Sequence, residues 1–138
     1  HSPFREERME VIPAESRWPF AETLELLKSY DNRRKRRFTV AYVMIKGKND
    51  SERHLEELKR LLSGTGIRMN LLPYRALEGD DASSSGSEVM MRFKHELVTS
   101  GIGASVRKSR GSDIDAACGM LAAKRRKQTG RNDKTKNI

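Results

Sequence analysis

The single cysteine of this 138-residue chain, Cys118, lies in the run VRKSRGSDIDAACGML, residues 106 to 121. Three cations precede it, Arg107, Lys108 and Arg110. Ser112 and Asp115 have the spacing of a capping box with an acid in its last position, and Asp113 adds negative charge where a helix dipole favours it. These residues predict a helix start just ahead of the cysteine. A thiol in the first turns of a helix, close to three cations, is biased toward the nucleophilic thiolate. The same spacing has a plainer reading. Ile114, Ala117 and Leu121 form an apolar stripe, and Ala116-Ala117-Cys118-Gly119 is also what tight helix packing produces, with cysteine as a small buried filler. From the residues alone both readings stand. Arg107, Lys108 and Arg110 are open in the same way, as an anion-binding cluster or as a charged surface.

Metal chemistry has less support. Cys118, His1, His54 and His95 are scattered singly and give no metal-ligand spacing, so no metal-binding residue is assigned. One cysteine forms no internal disulfide, which suits a reducing compartment, and the expected location is cytoplasmic.

The elements that must position these groups follow from apolar spacing. Phe20, Leu24, Leu27 and Tyr30, then Leu55, Leu58 and Leu62, then Val89, Phe93 and Leu97 recur at helical intervals and predict three amphipathic helices. RFTVAYVMI (37 to 45), IRMNLLPY (67 to 74) and GASVRK (103 to 108) read as strands. Asp50 or Ser51 is the expected cap of the second helix. Gly64 and Gly101 fall where a helix ends in a left-handed residue, which makes Gly64-Thr65-Gly66 and Gly101-Ile102-Gly103 helix-to-strand connections and not phosphate loops. Strands and helices in alternation predict an α/β fold with three parallel strands. The nearly unbroken apolar run VAYVMI suggests a strand covered on both faces. EGDDASSSGSE, residues 78 to 88, reads as a solvated polar loop at the carboxyl end of the second strand.

Apolar residues make up 36% of the chain and charged residues 34%, enough for one modest core. No run approaches the roughly 18 to 20 apolar residues of a membrane span, so no membrane association is expected. The formal charge is +9, and six of those nine net charges fall in residues 124 to 138. Such a balance suits a polyphosphate partner, although a basic terminus is also a common solvated tail. The expected organisation is a folded part, residues 1 to 123, and a disordered basic tail, residues 124 to 138. HSPF, without an initiator methionine, suggests a piece of a larger barrel; Ser2 and Pro3 would be an N-cap and first helical residue, with His1 ending a strand whose body is missing.

Four stretches together resemble the radical-SAM ribosomal RNA adenine methyltransferases, the RlmN/Cfr family. VRKSRGSDIDAACGML is similar to the family's C-terminal signature, Arg-Lys-x-Arg-Gly-x-Asp-Ile-x-Ala-Ala-Cys-Gly-x-Leu. YVMIKGKND (42 to 50) resembles its Tyr-Val-Met segment ending in Asn-Asp, NLLPY (70 to 74) its Asn-Leu-Ile-Pro-Trp strand, and HSPFREERMEVIP (1 to 13) its His-x-Pro opening. The similarity runs in register over roughly residues 1 to 124.

The resemblance implies the C-terminal βα units, three parallel strands with helices, of a radical-SAM partial TIM barrel. It implies that Cys118 carries a methyl group taken from one S-adenosylmethionine, while a second is cleaved at a [4Fe-4S] cluster to a radical that activates that methyl for addition to C-2 of an adenine in 23S ribosomal RNA. A carrier is needed because an amidine carbon is not a nucleophile. His1 matches a residue that contacts S-adenosylmethionine. Arg75 stands where the family commonly has a cofactor-binding asparagine; its longer, charged side chain could meet a carboxylate or phosphate instead. The cluster ligands and the resolving cysteine belong to a missing N-terminal portion, so this chain alone is expected to be inactive. Transfer RNA as a second substrate, and C-8 in place of C-2, stay open. The alternative is a non-catalytic RNA-binding module that keeps the barrel end and the basic tail.

Overall fold

The computed structural model describes residues 1–30 and 37–107. The predicted fourth helix, with Ser112, Asp115 and Cys118, lies outside the described residues, as do Lys108, Arg110 and the basic tail. All described residues except Leu77–Gly79 form one compact unit.

Two short elements open the chain. Helix α1 (Arg5–Val11) starts later than Ser2-Pro3 suggested. Ser2 still serves its start: its Oγ accepts the Phe4 N–H at 3.1 Å and donates to Glu7 Oε2 at 2.6 Å. A 3₁₀ turn at Pro13–Ser16 leads into α2 (Phe20–Ser29). Glu15 in that turn is buried, and its carboxylate accepts the Phe20 N–H at 3.0 Å and Arg8 Nε at 2.7 Å. It thus satisfies an orphan donor at the start of α2 and ties α1 to it.

The alternation predicted from spacing follows. Strand β1 (Thr39–Met44), helix α3 (Glu52–Leu62), strand β2 (Arg68–Pro73), helix α4 (Ser87–Thr99) and strand β3 (Ala104–Val106) build a parallel sheet in the order β1-β2-β3. Thr39 lies opposite Arg68 and Met44 opposite Pro73, while Asn70 lies opposite Ser105. Gly64 and Gly101 adopt φ of 73° and 82°, the left-handed conformation expected at helix ends.

The core gathers one face of the sheet and the apolar stripes of the helices. Tyr42, Met44, Met69 and Leu71 meet Leu55, Leu58 and Leu62 of α3 and Met90, Phe93 and Leu97 of α4, with Leu24 from α2. The reading of β1 as covered on both faces is corrected here. Burial alternates along it: Tyr42 and Met44 are buried, but Thr39 and Ala41 are exposed and Val43 is half-buried. The second face carries Arg68, Asn70 and Ser105, and Ser105 Oγ donates to Asn70 Oδ1 at 2.5 Å. Polar groups therefore lie on the less buried face of the sheet.

Burial alone would raise the carboxyl pKa values of both Glu15 and Glu7. At Glu15 the Phe20 N–H and the guanidinium groups of Arg8 and Arg5 outweigh it, and at Glu7 the hydrogen bonds from Ser2 and His54 and the charge on Arg53 do so. Both carboxyls are held below their ordinary 4.5. Groups depressed on folding stabilise the fold fully above their unfolded value, and that contribution disappears as pH falls through the lower folded values. Urea unfolding across a pH series should therefore show stability lost below about pH 4.5 and a smaller acid loss in Glu15→Gln. An unchanged acid slope in that variant would contradict the assignment.

Candidate functional site

The carboxyl end of the sheet is where parallel α/β folds bind ligands, and it is here that the structure spends its most connected polar side chains. Asn49, five residues beyond β1, is 3% exposed. Its Oδ1 accepts the Ile45 N–H at 2.7 Å, and its Nδ2 donates to the carbonyls of Val43 at 2.7 Å and His1 at 2.5 Å. Tyr42 Oη closes the loop by donating to the Asn49 carbonyl at 2.8 Å. Burial, followed by the charges of Glu7 and Asp50, pushes the Tyr42 phenol well above its ordinary range, so it remains a donor.

The neighbouring Asp50 holds two segments. Its Oδ1 accepts the Gly47 N–H at 2.9 Å and its Oδ2 accepts Ser85 Oγ at 2.8 Å. Ser85 N–H donates to the Met44 carbonyl, Lys46 N–H to the Ser83 carbonyl, and Ile45 and Ser84 form an antiparallel bridge. Tyr74 Oη donates to Asp80 within the same loop. The polar stretch from 78 to 88 is therefore not simply a solvated connection. Its residues 83 to 85 are clasped to the end of β1, and Ser87 and Glu88 already belong to α4.

The second anchor runs between α1 and α3. Ser51 occupies the N-cap position of α3, as predicted, but its hydroxyl caps no backbone N–H and bonds His54 Nδ1 at 2.6 Å. His54 is buried, and its Nε2 lies 2.8 Å from Glu7 Oε2, the oxygen that also receives Ser2 Oγ. Arg53 binds the other Glu7 oxygen and stacks over Phe4, 3.9 Å from the ring centroid. The Ser–His–Glu order resembles a hydrolase triad, yet the acid is shared with Ser2 and Arg53. It acts as a brace between helices.

Two expected site residues, His1 and Arg75, and one open candidate, Arg107, lie beside the carboxyl end of the sheet. The His1 carbonyl is held beside the end of β1 by Asn49; the cleft of about 40 Å³ that His1 also lines runs back along the apolar side of the sheet, between Val40, Tyr42, Met69 and the last turn of α3. Arg75, half-buried, follows β2 by two residues. Arg107 follows β3, and its N–H donates to the Leu71 carbonyl at 2.9 Å. Cys118 lies outside the described residues. Sequence reasoning assigned no role to Asn49, Glu7 or His54. The one signal for Asn49 was its place in the Asn-Asp pair that ends YVMIKGKND.

The residues present do not fit an iron–sulfur cluster: the sequence has one cysteine, and among the described residues no group of three His, Cys, Asp or Glu side chains could hold a metal ion. For S-adenosylmethionine the chemistry is better matched, because an amino acid portion and a ribose need hydrogen-bonding groups and a cation at the carboxyl rim. His1, Arg75 and the polar Asn70–Ser105 face offer these.

The fold is similar to part of a crystal structure of a radical SAM methyltransferase from Sphaerobacter thermophilus. The two are alike at a TM-score of 0.80 and 38% identity, covering 87% of this chain and 35% of that one. The chain is thus homologous to a portion of the radical-SAM methyltransferases.

Within that class the sequence relatives are RlmN proteins. The probable dual-specificity RNA methyltransferase RlmN of Bacteroides fragilis is 40% identical over 132 residues, 96% of this chain and 38% of its own length. Its namesake from Thermus thermophilus is 38% identical over 124 residues, 90% of this chain and 35% of its own. The chain therefore spans little more than a third of the curated relatives it matches. No protein-family model matches it. No helix among the described residues is long and apolar enough to cross a membrane.

Proposed function

We propose that the protein containing this chain is a radical-SAM methyltransferase that places a methyl group on C-2 of an adenine in 23S ribosomal RNA, in the cytoplasm, with Cys118 as methyl carrier. The observation that carries this reading is the relation to RlmN proteins over 96% of the chain, joined to the ordered run around Cys118. In this reading residues 1 to 123 are barrel and residues 124 to 138 a basic tail suited to RNA phosphates. The chemistry a bound cluster supplies in the complete protein is homolytic cleavage of S-adenosylmethionine.

This chain's own residues have narrower tasks. Cys118 would be the methyl acceptor, its thiolate sulfur taking the place of the sulfonium sulfur, and bound S-adenosylmethionine would supply that methyl and leave as S-adenosylhomocysteine. The cations at 107, 108 and 110 favour the thiolate that this step needs. His1 and Arg75 contact the cofactor at the carboxyl rim, with the Arg75 guanidinium suited to its carboxylate.

Incubating the complete, cluster-reconstituted protein with methyl-labelled S-adenosylmethionine and 23S ribosomal RNA tests the reading. Labelled 2-methyladenosine in the digested RNA is the expected product. RNA retention without any labelled nucleoside would favour a non-catalytic RNA-binding module, to which the positive charge of residues 124 to 138 also suits the chain.

A further inference from the structure

The His1–Phe4 segment has no regular secondary structure, yet it is held from two sides by groups distant in sequence. Asn49 reaches it across 48 residues: both hydrogens of its buried amide are used, one on the Val43 carbonyl inside β1 and one on the His1 carbonyl. The Ile45 N–H on Oδ1 fixes the amide's orientation, since a flipped amide would set a donor against a donor. From the other side, Ser2 Oγ donates to Glu7 Oε2, and Glu7 is in turn fixed by His54 and Arg53. His54 belongs to α3, only three residues past Ser51, so both supports descend from the loop and helix that follow β1.

This arrangement is more than the fold of β1 requires. The strand pairs with β2 through its backbone, and the Ile45 and Val43 bonds alone would close the turn after it. The additional bond to His1 couples the turn to a residue that is itself exposed, in the segment preceding α1.

We infer that Asn49 is a positioning residue: its amide sets His1 in register with the carboxyl end of β1, and the Ser2–Glu7–His54 chain fixes the following residue, so that His1 is presented to S-adenosylmethionine in one pose. This rests on the proposed cofactor contact at His1 and adds a residue that never touches the ligand. A prepaid pose spares the ligand the cost of ordering the segment.

Equilibrium dialysis of S-adenosylmethionine against the complete, cluster-reconstituted protein tests it, with thermal melting and RNA affinity measured in parallel. Asn49→Asp keeps the acceptor for Ile45 and removes both donors. Dissociation constants should rise about tenfold in Asn49→Asp and about threefold in Ser2→Ala, the scale of one or two lost hydrogen bonds, with RNA affinity unchanged. Ser85→Ala removes one hydrogen bond from the adjoining Asp50 and should leave the constant within about twofold, because it frees nothing that touches His1. His1→Ala separates the two levels. If it binds S-adenosylmethionine normally, the cofactor contact at His1 is wrong and the positioning role falls with it. If His1→Ala loses affinity but Asn49→Asp and Ser2→Ala keep it, the contact stands and the positioning role is overturned. Should Asn49→Asp not fold, Ser2→Ala decides alone, and equal weakening in Ser85→Ala would also overturn the inference by making it a general loss of stability.

Discussion

Cys118→Ala in the complete protein is expected to abolish formation of methylated adenine while RNA is still bound. A methyl carrier takes part covalently in every turnover, so its loss cannot be offset by the remaining binding groups. No other cysteine lies in these 138 residues to take its place. The residues beside Cys118 in sequence are Ala116, Ala117 and Gly119, and alanine has the highest helix propensity, so the variant should fold. That separates the two readings of the thiol. A packing cysteine replaced by alanine would leave turnover close to normal; a carrier would leave none. Nucleoside chromatography of digested RNA reads the difference, and wild-type amounts of product from the variant would return Cys118 to the role of filler.

Phe93→Ala should have the largest effect on folding. Phe93 is fully buried in α4, where it helps seal the side of the sheet formed by Met69 and Leu71. Truncating a buried phenylalanine removes transfer free energy and leaves a cavity that surrounding groups fill only in part, costing about 3–5 kcal/mol. Against a usual domain stability of about 5–15 kcal/mol, that is a large fraction. Met91, two residues earlier on the same helix, is 51% exposed, and Met91→Ala should cost well under about 1 kcal/mol. Urea titrations of both variants check the contrast. Equal midpoints would mean that α4 does not cover the sheet as described.

The helices were legible because burial repeats at their own period: Leu55, Leu58 and Leu62 were predicted as one stripe and all three are buried. Gly64 and Gly101 were legible because only the left-handed conformation ends those helices so tightly. The strand run VAYVMI misled because alanine and valine do not reveal which face is covered. That depends on what lies above the sheet, and there Ala41 is exposed and Val43 only half-buried. Ser51 was rightly placed at a helix start, yet its hydroxyl turned to His54, a partner within reach only once α3 had formed. The candidate site divides in the same way. His1 and Arg75, expected from the resemblance, and Arg107, left open between an anion cluster and a charged surface, each lie beside the carboxyl end of a strand. Asn49 was marked only by its place in the Asn-Asp pair, and its task stayed hidden because its two carbonyl partners come from different segments and meet only in the folded chain.

Methyl groups carried by Cys118 would show in the mass of the tryptic peptide containing it, taken from the intact protein purified from cells. A fraction of that peptide should be heavier by one methyl group on sulfur, a fraction absent from apoprotein that has never met S-adenosylmethionine. A peptide bearing only free thiol in protein that is actively methylating RNA would contradict the carrier role.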